Sequence, residues 1–340
     1  MKTAVITTIN KLQDTFINKF IDYDYRCIVV GDLKTPNRSY VDQSNISYIQ
    51  PECEIFPKLS EQLPFNHYCR KNLGYLHAIK SGSPTILDTD DDNFPVGEMS
   101  TWNTLALNKV LGCNLPNILT RFSNDHVWSR GYPLELVNQN QLITTEEVNQ
   151  NNINEVGIIQ SLVDGDPDVD AIFRMTSKDY DPKFEFKKGI GFIFNKGIFS
   201  QGNTQATLWV KPSLFHLLYI PTTVSFRFCD ILKLYVAQRC MWESGLEFAV
   251  TSPFFHQTRN AHDYMKDFNS EVSMYKCLYD LLTDILPNIK LKGDEEDIIR
   301  VYEVLERKQI TKPGELDVLK TFIKYYNSLE IRLNNKNDMS

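Results

Sequence analysis

Pro84-Thr85-Ile86-Leu87-Asp88-Thr89-Asp90-Asp91-Asp92-Asn93 runs a short apolar segment directly into four carboxylates within five positions. Two carboxylates about 5 Å apart repel by roughly 3 kcal/mol at an effective dielectric near 20. A fold tolerates such a group in open solvent or around a cation. Thr85–Leu87 reads as a strand that pins the cluster against a sheet, which weighs against a freely solvated loop. A hard divalent ion with oxygen ligands, Mg2+ or Mn2+, is the expected occupant. A calcium loop starting at Asp88 would need Gly at its sixth position and Glu at its twelfth. Asn93 and Met99 stand there instead, and that reading fails. Phosphatases with an aspartyl nucleophile usually carry Thr or Val two places beyond the second Asp, where this chain has Asp92.

The segments upstream alternate in type. Lys2–Ile9 is a β-branched run, and Asn10–Ile21 places Leu12, Phe16, Ile17 and Phe20 on one helical stripe. Arg26–Val30 is a second strand closed by Gly31-Asp32, and Ile46–Ile49 a third; His67–Lys80 has helical spacing. Repeated strand–helix–strand predicts an α/β fold, a mostly parallel sheet flanked by helices. Ligands bind such sheets outside the carboxyl ends of the strands, which brings Asp32 and the acidic cluster to one edge. Further on, Ala171–Met175 and Gly191–Phe194 read as strands, and 226–250 as a helix carrying Ile231 and Leu234. Glu271–Leu286, Asp294–Glu306 and Pro313–Leu333 read as amphipathic helices bounded by Pro or Gly. The expected organisation is a domain over 1–265, with a nucleotide-binding half to 100 and an acceptor half beyond it, followed by a helical region over 266–340.

With 42% apolar and 23% charged residues the chain has the make-up of a soluble globular protein. A net charge of -7 argues against a nucleic-acid binder, which carries a basic footprint. Seven scattered cysteines without CxxC pairs suit a reduced, cytoplasmic protein. No stretch of about 18 apolar residues is present, so any membrane association is expected to be peripheral, at the inner face.

Arg70-Lys71-Asn72-Leu73-Gly74-Tyr75, then Ala78, then Ile86-Leu87-Asp88 with Asp90 and Asp92, resembles the R-x-N-x-G…A…D-x-D run of GT-A glycosyltransferases. The resemblance extends to the STELLO-type glycosyltransferase family. It is carried by Val29–Asp32, Leu63–Tyr75, Asp88–Asn93, Trp128–Glu135, Leu162–Ala171, Asn203–Gln205, Arg227–Ile231 and His256–Asn260, in order, over roughly residues 1–270. It implies a GT-A (Rossmann-like) fold and transfer of a sugar from a nucleotide-diphosphate donor, UDP-sugar favoured, to a glycan or glycolipid acceptor. The plant members resemble membrane-anchored Golgi proteins, and a soluble chain suits a cell-surface glycan role better. The acidic run also resembles that of the nucleotide-arabinose mutases, which keeps a mutase as an alternative. A non-catalytic nucleotide-sugar or partner-binding protein is a third reading.

In the glycosyltransferase reading Asp92 and Asp90 are metal ligands, with Asp90 and Asp91 also toward the nucleotide sugar. Asp32, Thr7 and a phosphate-neutralising group of Arg70, Lys71 and Asn72 at a helix start complete the donor site. Gly74 would admit the backbone to the diphosphate. A turn-forming Asp32 and an ordinary strand Thr7 are the plainer readings. Asp230 is the candidate catalytic base for an inverting transfer, set against a helix-start aspartate favoured by the dipole. The resemblance makes His256 a late metal ligand and Arg259 a contact to the leaving diphosphate. Asp164, Asp166, Asp168 and Asp170 alternate, which would put them on one face of an extended chain. Trp128 and Arg130 are read as acceptor contacts or as a buried tryptophan beside a salt-bridged arginine.

Overall fold

A computed structural model describes residues 1–36, 45–148, 150–177, 183–258 and 263–337. Arg259 and Asn260 lie outside the described residues. Strands β1 (Lys2–Thr7), β2 (Tyr25–Val30), β3 (Ile46–Ile49) and β4 (Ile86–Asp90) pair in parallel in the order β3-β2-β1-β4. The interior residues of β1 are buried on both faces, as expected where helices cover a parallel sheet from both sides. The remaining strands are β5 (Asn93–Pro95), β6 (Ala106–Leu111), β7 (Thr144–Glu147), β8 (Val156–Gly165), β9 (Ile190–Phe194), β10 (Ala206–Trp209) and β11 (Glu247–Gln257). Among the described residues they extend the sheet to eleven strands, continuing from β4 as β10-β8-β11-β9-β6-β7, with β5 paired to β11. Both parallel and antiparallel pairings occur in this half.

The register decides where the chemistry sits. Thr7 stands beside Val30 on one side and Asp90 on the other, so β1, β2 and β4 end in line. Asn93 pairs with Gln257, which sets the acidic cluster against the end of β11. Antiparallel β10 begins at this same edge, with Ala206 beside Thr89. Five segments distant in sequence therefore converge on one rim.

The helices are α1 (Asp14–Asp22), α2 (Pro57–Gln62), α3 (Lys71–Lys80), α4 (Leu119–Phe122), α5 (Ala171–Thr176), α6 (Cys229–Met241), α7 (Tyr264–Asp280), α8 (Asp297–Arg307) and α9 (Glu315–Asn337). Phe16, Ile17 and Phe20 of α1 pack on one face of the sheet with Ala4, Ile6, Cys27 and Val29. The opposite face carries the larger core, in which Leu73 and Leu76 of α3, Leu232 of α6 and Leu319 and Phe322 of α9 join. Helix α6 is buried on every side, polar residues included, as a helix enclosed by the fold must be. Glu315 of α9 fixes the C-terminal helices to the loop before α6: its carboxylate accepts from Thr222 N and Thr223 N (2.9 and 2.7 Å) and from Tyr219 Oη. Among the described residues no helix is long and apolar enough to cross a membrane.

Three local expectations change. The helix read over 226–250 closes at Met241, and Glu247–Gln257 is strand β11. Ala171–Thr176 is helical, not a strand, because Asp170 caps it by accepting from Phe173 N at 2.7 Å. Gly74 faces the sheet and not a ligand: a Cβ there would lie 2.5 and 2.6 Å from Val30 and Val5, so its role is to seat α3 on β1 and β2.

Candidate active site

At the carboxyl ends of β1, β2 and β4 lies a cavity of about 480 Å³. Thr7, Asp32, Arg70, Asp90, Asp91, Asp92 and Asp230 all line it, which brings together most of the residues singled out from sequence. Lys71, Asn72 and His256 do not.

The acidic cluster is divided by burial into members with different partners. Asp88 is wholly buried between Lys71 Nζ and Lys233 Nζ, each 2.7 Å away, and also accepts from Tyr75 Oη at 2.6 Å. It is a core ion cluster and lies behind the cavity. Asp90 receives Tyr68 Oη, Lys71 Nζ (3.1 Å) and Thr7 Oγ1 (3.2 Å), all on Oδ1. Burial raises its pKa, against the pull of Lys71 and Tyr68. Asp91 Oδ2 accepts from Thr8 Oγ1 (2.6 Å) and Asn10 Nδ2 (3.2 Å), which ties the cluster to the loop after β1.

Asp92 differs from its neighbours. Among the described residues its oxygens accept from amide N–H groups, Asn93 Nδ2 and Gln257 Nε2, both at 2.8 Å. Among the described residues it has no cationic partner. Burial, reinforced by Asp90 and Asp91, pushes its pKa up to about 7. A desolvated carboxylate without a counter-charge is energetically poor. Adding a cation removes the deficit, so the residues present fit a divalent ion. Among the described residues no three His, Cys, Asp or Glu side chains converge as a self-contained metal site.

The phosphate-neutralising group read at the start of α3 does not form. Lys71 is wholly buried and spent on Asp88 and Asp90. Asn72 is buried and pairs with the backbone of Ile220, donating to its O at 2.9 Å and accepting from its N at 2.8 Å. Arg70 touches the cavity wall, but its guanidinium donates to the carbonyls of Ser60 (2.9 Å), Leu63 (3.2 Å) and Pro51. These side chains brace the loops that shape the site. His256 is exposed, on the opposite face of β11 from Gln257, and its ring lies where a Cβ on Gly165 would fall. Gln257 takes the place next to Asp92 that the resemblance gave to His256. Asp32 lines the cavity while serving a turn: its oxygens accept from Leu33 N (2.7 Å) and His67 N (3.3 Å).

The opposite wall is an ion network. Arg130 meets Asp230 with Nη1 and Nη2 at 2.9 and 2.7 Å, and Asp168 with Nε and Nη2 at 2.8 and 2.7 Å. Despite burial, Arg130 and Arg227 hold the Asp168 carboxyl well below the usual range. Arg227 is itself bridged to Glu271 of α7 at 2.7 Å. The alternating aspartates do not share a face or an ion. Asp164 meets Lys188, Asp166 meets Arg174, and Asp170 accepts from Trp128 Nε1 at 2.7 Å. Trp128 is thus a buried structural residue, while Arg130 reaches the cavity.

Amide side chains join the two walls. Gln257 Oε1 accepts from Gln205 Nε2 at 3.2 Å, and Asn203 Nδ2 donates to Asp168 at 2.8 Å and to Gln205 Oε1 at 3.4 Å. Asp92 is therefore connected through Gln257, Gln205 and Asn203 to Asp168, and through Arg130 to Asp230. Sequence reasoning assigned no site role to His67, Tyr68, Gln205, Phe226 or Gln257, although each lines the cavity. The available signal was adjacency: each lies inside or beside a motif-bearing segment.

No family model matches the chain. Among curated proteins it is similar to "Probable glycosyltransferase STELLO1" of Arabidopsis thaliana, 27% identical over 253 residues, covering 68% of this chain and 32% of that protein. It is also similar to "Probable glycosyltransferase STELLO2" of the same plant, 26% identical over 260 residues, covering 71% and 33%. The chain spans about a third of the length of these relatives. Over more than two thirds of its own length, the chain is similar to these two STELLO-type proteins.

Proposed function

We propose that this chain is a glycosyltransferase that takes its sugar from a nucleoside-diphosphate donor with the help of Mg2+ or Mn2+. The observation that carries the reading is Asp92: a desolvated carboxylate whose partners among the described residues are amides, beside Asp90, opening onto the cavity at the strand ends. The names of the two relatives support the same reaction class.

Asp90 and Asp92 would hold the cation, with the remaining positions left to diphosphate oxygens and water, as Mg2+ sites commonly are. When bound, the ion supplies positive charge to the departing diphosphate. Gln257 orients Asp92, and Lys71 with Tyr68 orients Asp90. Thr7, Asp32 and Asp91 line the end of the cavity toward β1 and β2, the place for the nucleoside. Across from them Arg130 fixes the Asp230 carboxylate by a two-point contact. In an inverting transfer the acceptor oxygen attacks the anomeric carbon, its proton passes to Asp230, and the bond to the diphosphate breaks. UDP-sugar is the favoured donor and a glycan or glycolipid the acceptor.

The test is release of nucleoside diphosphate from a panel of nucleotide sugars, with and without Mn2+ or Mg2+. Wild type should turn over one nucleotide class in a metal-dependent way. Asp92→Asn should abolish this, and Asp230→Asn should keep donor binding while losing transfer. Metal-independent turnover, or normal turnover in Asp92→Asn, would overturn the reading.

A further inference from the structure

Phe226 is an apolar side chain that the mechanism above does not use. It lines the cavity, yet 52% of it is exposed. Its ring is held edge-on by His67 (centroids 6.2 Å apart, 80°) and Tyr68 (5.7 Å, 77°), so it is fixed by packing although half in solvent. Tyr68 in turn contacts Asp90, and Phe226 adjoins Arg227 one turn before Asp230. An aromatic ring held by packing therefore shares the cavity with the carboxylates of Asp90 and Asp230 and with Arg227 and Arg130.

An aromatic face beside carboxylates and guanidinium groups suits one ligand chemistry well. A pyranose ring presents a face of C–H bonds that packs on an aromatic ring, and a rim of hydroxyls that bonds to carboxylates and arginine. A serine or lipid alcohol offers no such flat apolar face. A nucleobase would stack on it too, since His67, on which the ring packs, is bonded to Asp32; the nucleotide arm of the test below separates the two ligands.

We propose that Phe226 is a stacking platform for an acceptor sugar, making the acceptor a pyranoside that is bound with its hydroxyl toward Asp230. The inference rests on the glycosyl-transfer reading and gives the acceptor its chemical class.

The test uses saturation-transfer NMR on the full chain with methyl glucoside, galactoside, mannoside and xyloside, in the presence of Mg2+ and a nucleoside diphosphate. That diphosphate is chosen from UDP, GDP, CDP and ADP by thermal shift. Wild type should transfer saturation to ring C–H protons of at least one pyranoside. Phe226→Ala should weaken that pyranoside about tenfold, and Phe226→Trp should restore it. The nucleotide thermal shift should be the same in all three, which shows that the fold and the donor site are intact. Equal saturation in wild type and Phe226→Ala, or none with any pyranoside in wild type, overturns the platform. So does a tenfold loss of nucleotide affinity in Phe226→Ala, which would place the base on the ring. Absence of any nucleotide shift in wild type would instead defeat the glycosyl-transfer reading, with the platform still decided by the pyranoside arm.

Discussion

Replacing Lys71 with methionine removes one of two ammonium groups that neutralise Asp88 and Asp90. The cluster of Lys71, Lys233, Asp88 and Asp90 is charge-balanced, and both lysines and Asp88 are wholly excluded from solvent. Methionine fills similar space, so the packing is kept and the charge is lost. Breaking a buried pair from one side costs about 3–5 kcal/mol, because the remaining charge has no counter-ion. With an unfolding entropy of about 2.1 cal/mol/K per residue, a chain of this length should lose about 4–7 °C in Tm. Thermal unfolding at pH 7, with and without nucleoside diphosphate, is the assay. The alternative read from sequence, Lys71 on the diphosphate, gives the opposite pattern: an unchanged Tm in the free protein and a lost ligand shift. That pattern would refute the structural assignment. A companion test is the pair Lys233→Met and Lys233→Met/Asp88→Asn. The double variant restores charge balance and should be more stable than the single one; simple additivity of the two losses would contradict the reasoning.

Three further outcomes follow from particular contacts. Gln257→Ala should weaken metal-dependent nucleotide binding by about 10–100-fold, the usual effect of removing a ligand's supporting partner, with little change in Tm; calorimetry on wild type and variant measures both. Asp170 is buried, and burial raises its pKa to about 7, above the unfolded value. Its contribution is therefore full at low pH and is lost as pH rises through 7. Asp170→Asn keeps one oxygen to cap α5 but turns an N–H toward Trp128 Nε1, so it should cost about 1–3 kcal/mol while flattening the pH dependence of Tm between about 4 and 7. Glu315→Ala strands the amides of Thr222 and Thr223 together with Tyr219 Oη, and should lower stability by at least about 3 kcal/mol in denaturant titrations.

The parallel half of the sheet was legible because buried parallel strands are continuous apolar runs. Ala4–Ile6, Cys27–Val30 and Ile86–Leu87 have no other reasonable use, and the strand-end rule then pointed to the edge where the cavity lies. The ligand-facing residues were less legible because a charged side chain looks the same in sequence whether it faces a cavity or a core. Lys71 and Asn72 carry motif positions, yet α3 packs so tightly through Gly74 that both are drawn inside. His256 and Gln257 differ by one residue in a strand, and only the register of β11 with β5 decides which one meets Asp92. Asp168 could not be separated from Asp164, Asp166 and Asp170 by spacing, because the chain leaves β8 at Gly165 and the alternation ends there. Asp170 then becomes the cap of α5, a role that the apolar stretch after it had disguised as the start of a strand.

The most direct test of a cation-assisted donor site is calorimetric titration of UDP, GDP, CDP and ADP into wild type and Asp92→Asn, each with and without Mg2+. We expect one nucleoside diphosphate to bind wild type with Mg2+, to bind at least about tenfold more weakly without it, and to lose this metal dependence in Asp92→Asn. Equal affinity with and without Mg2+, an unaltered metal effect in Asp92→Asn, or no binding by any of the four would contradict the assignment of Asp92.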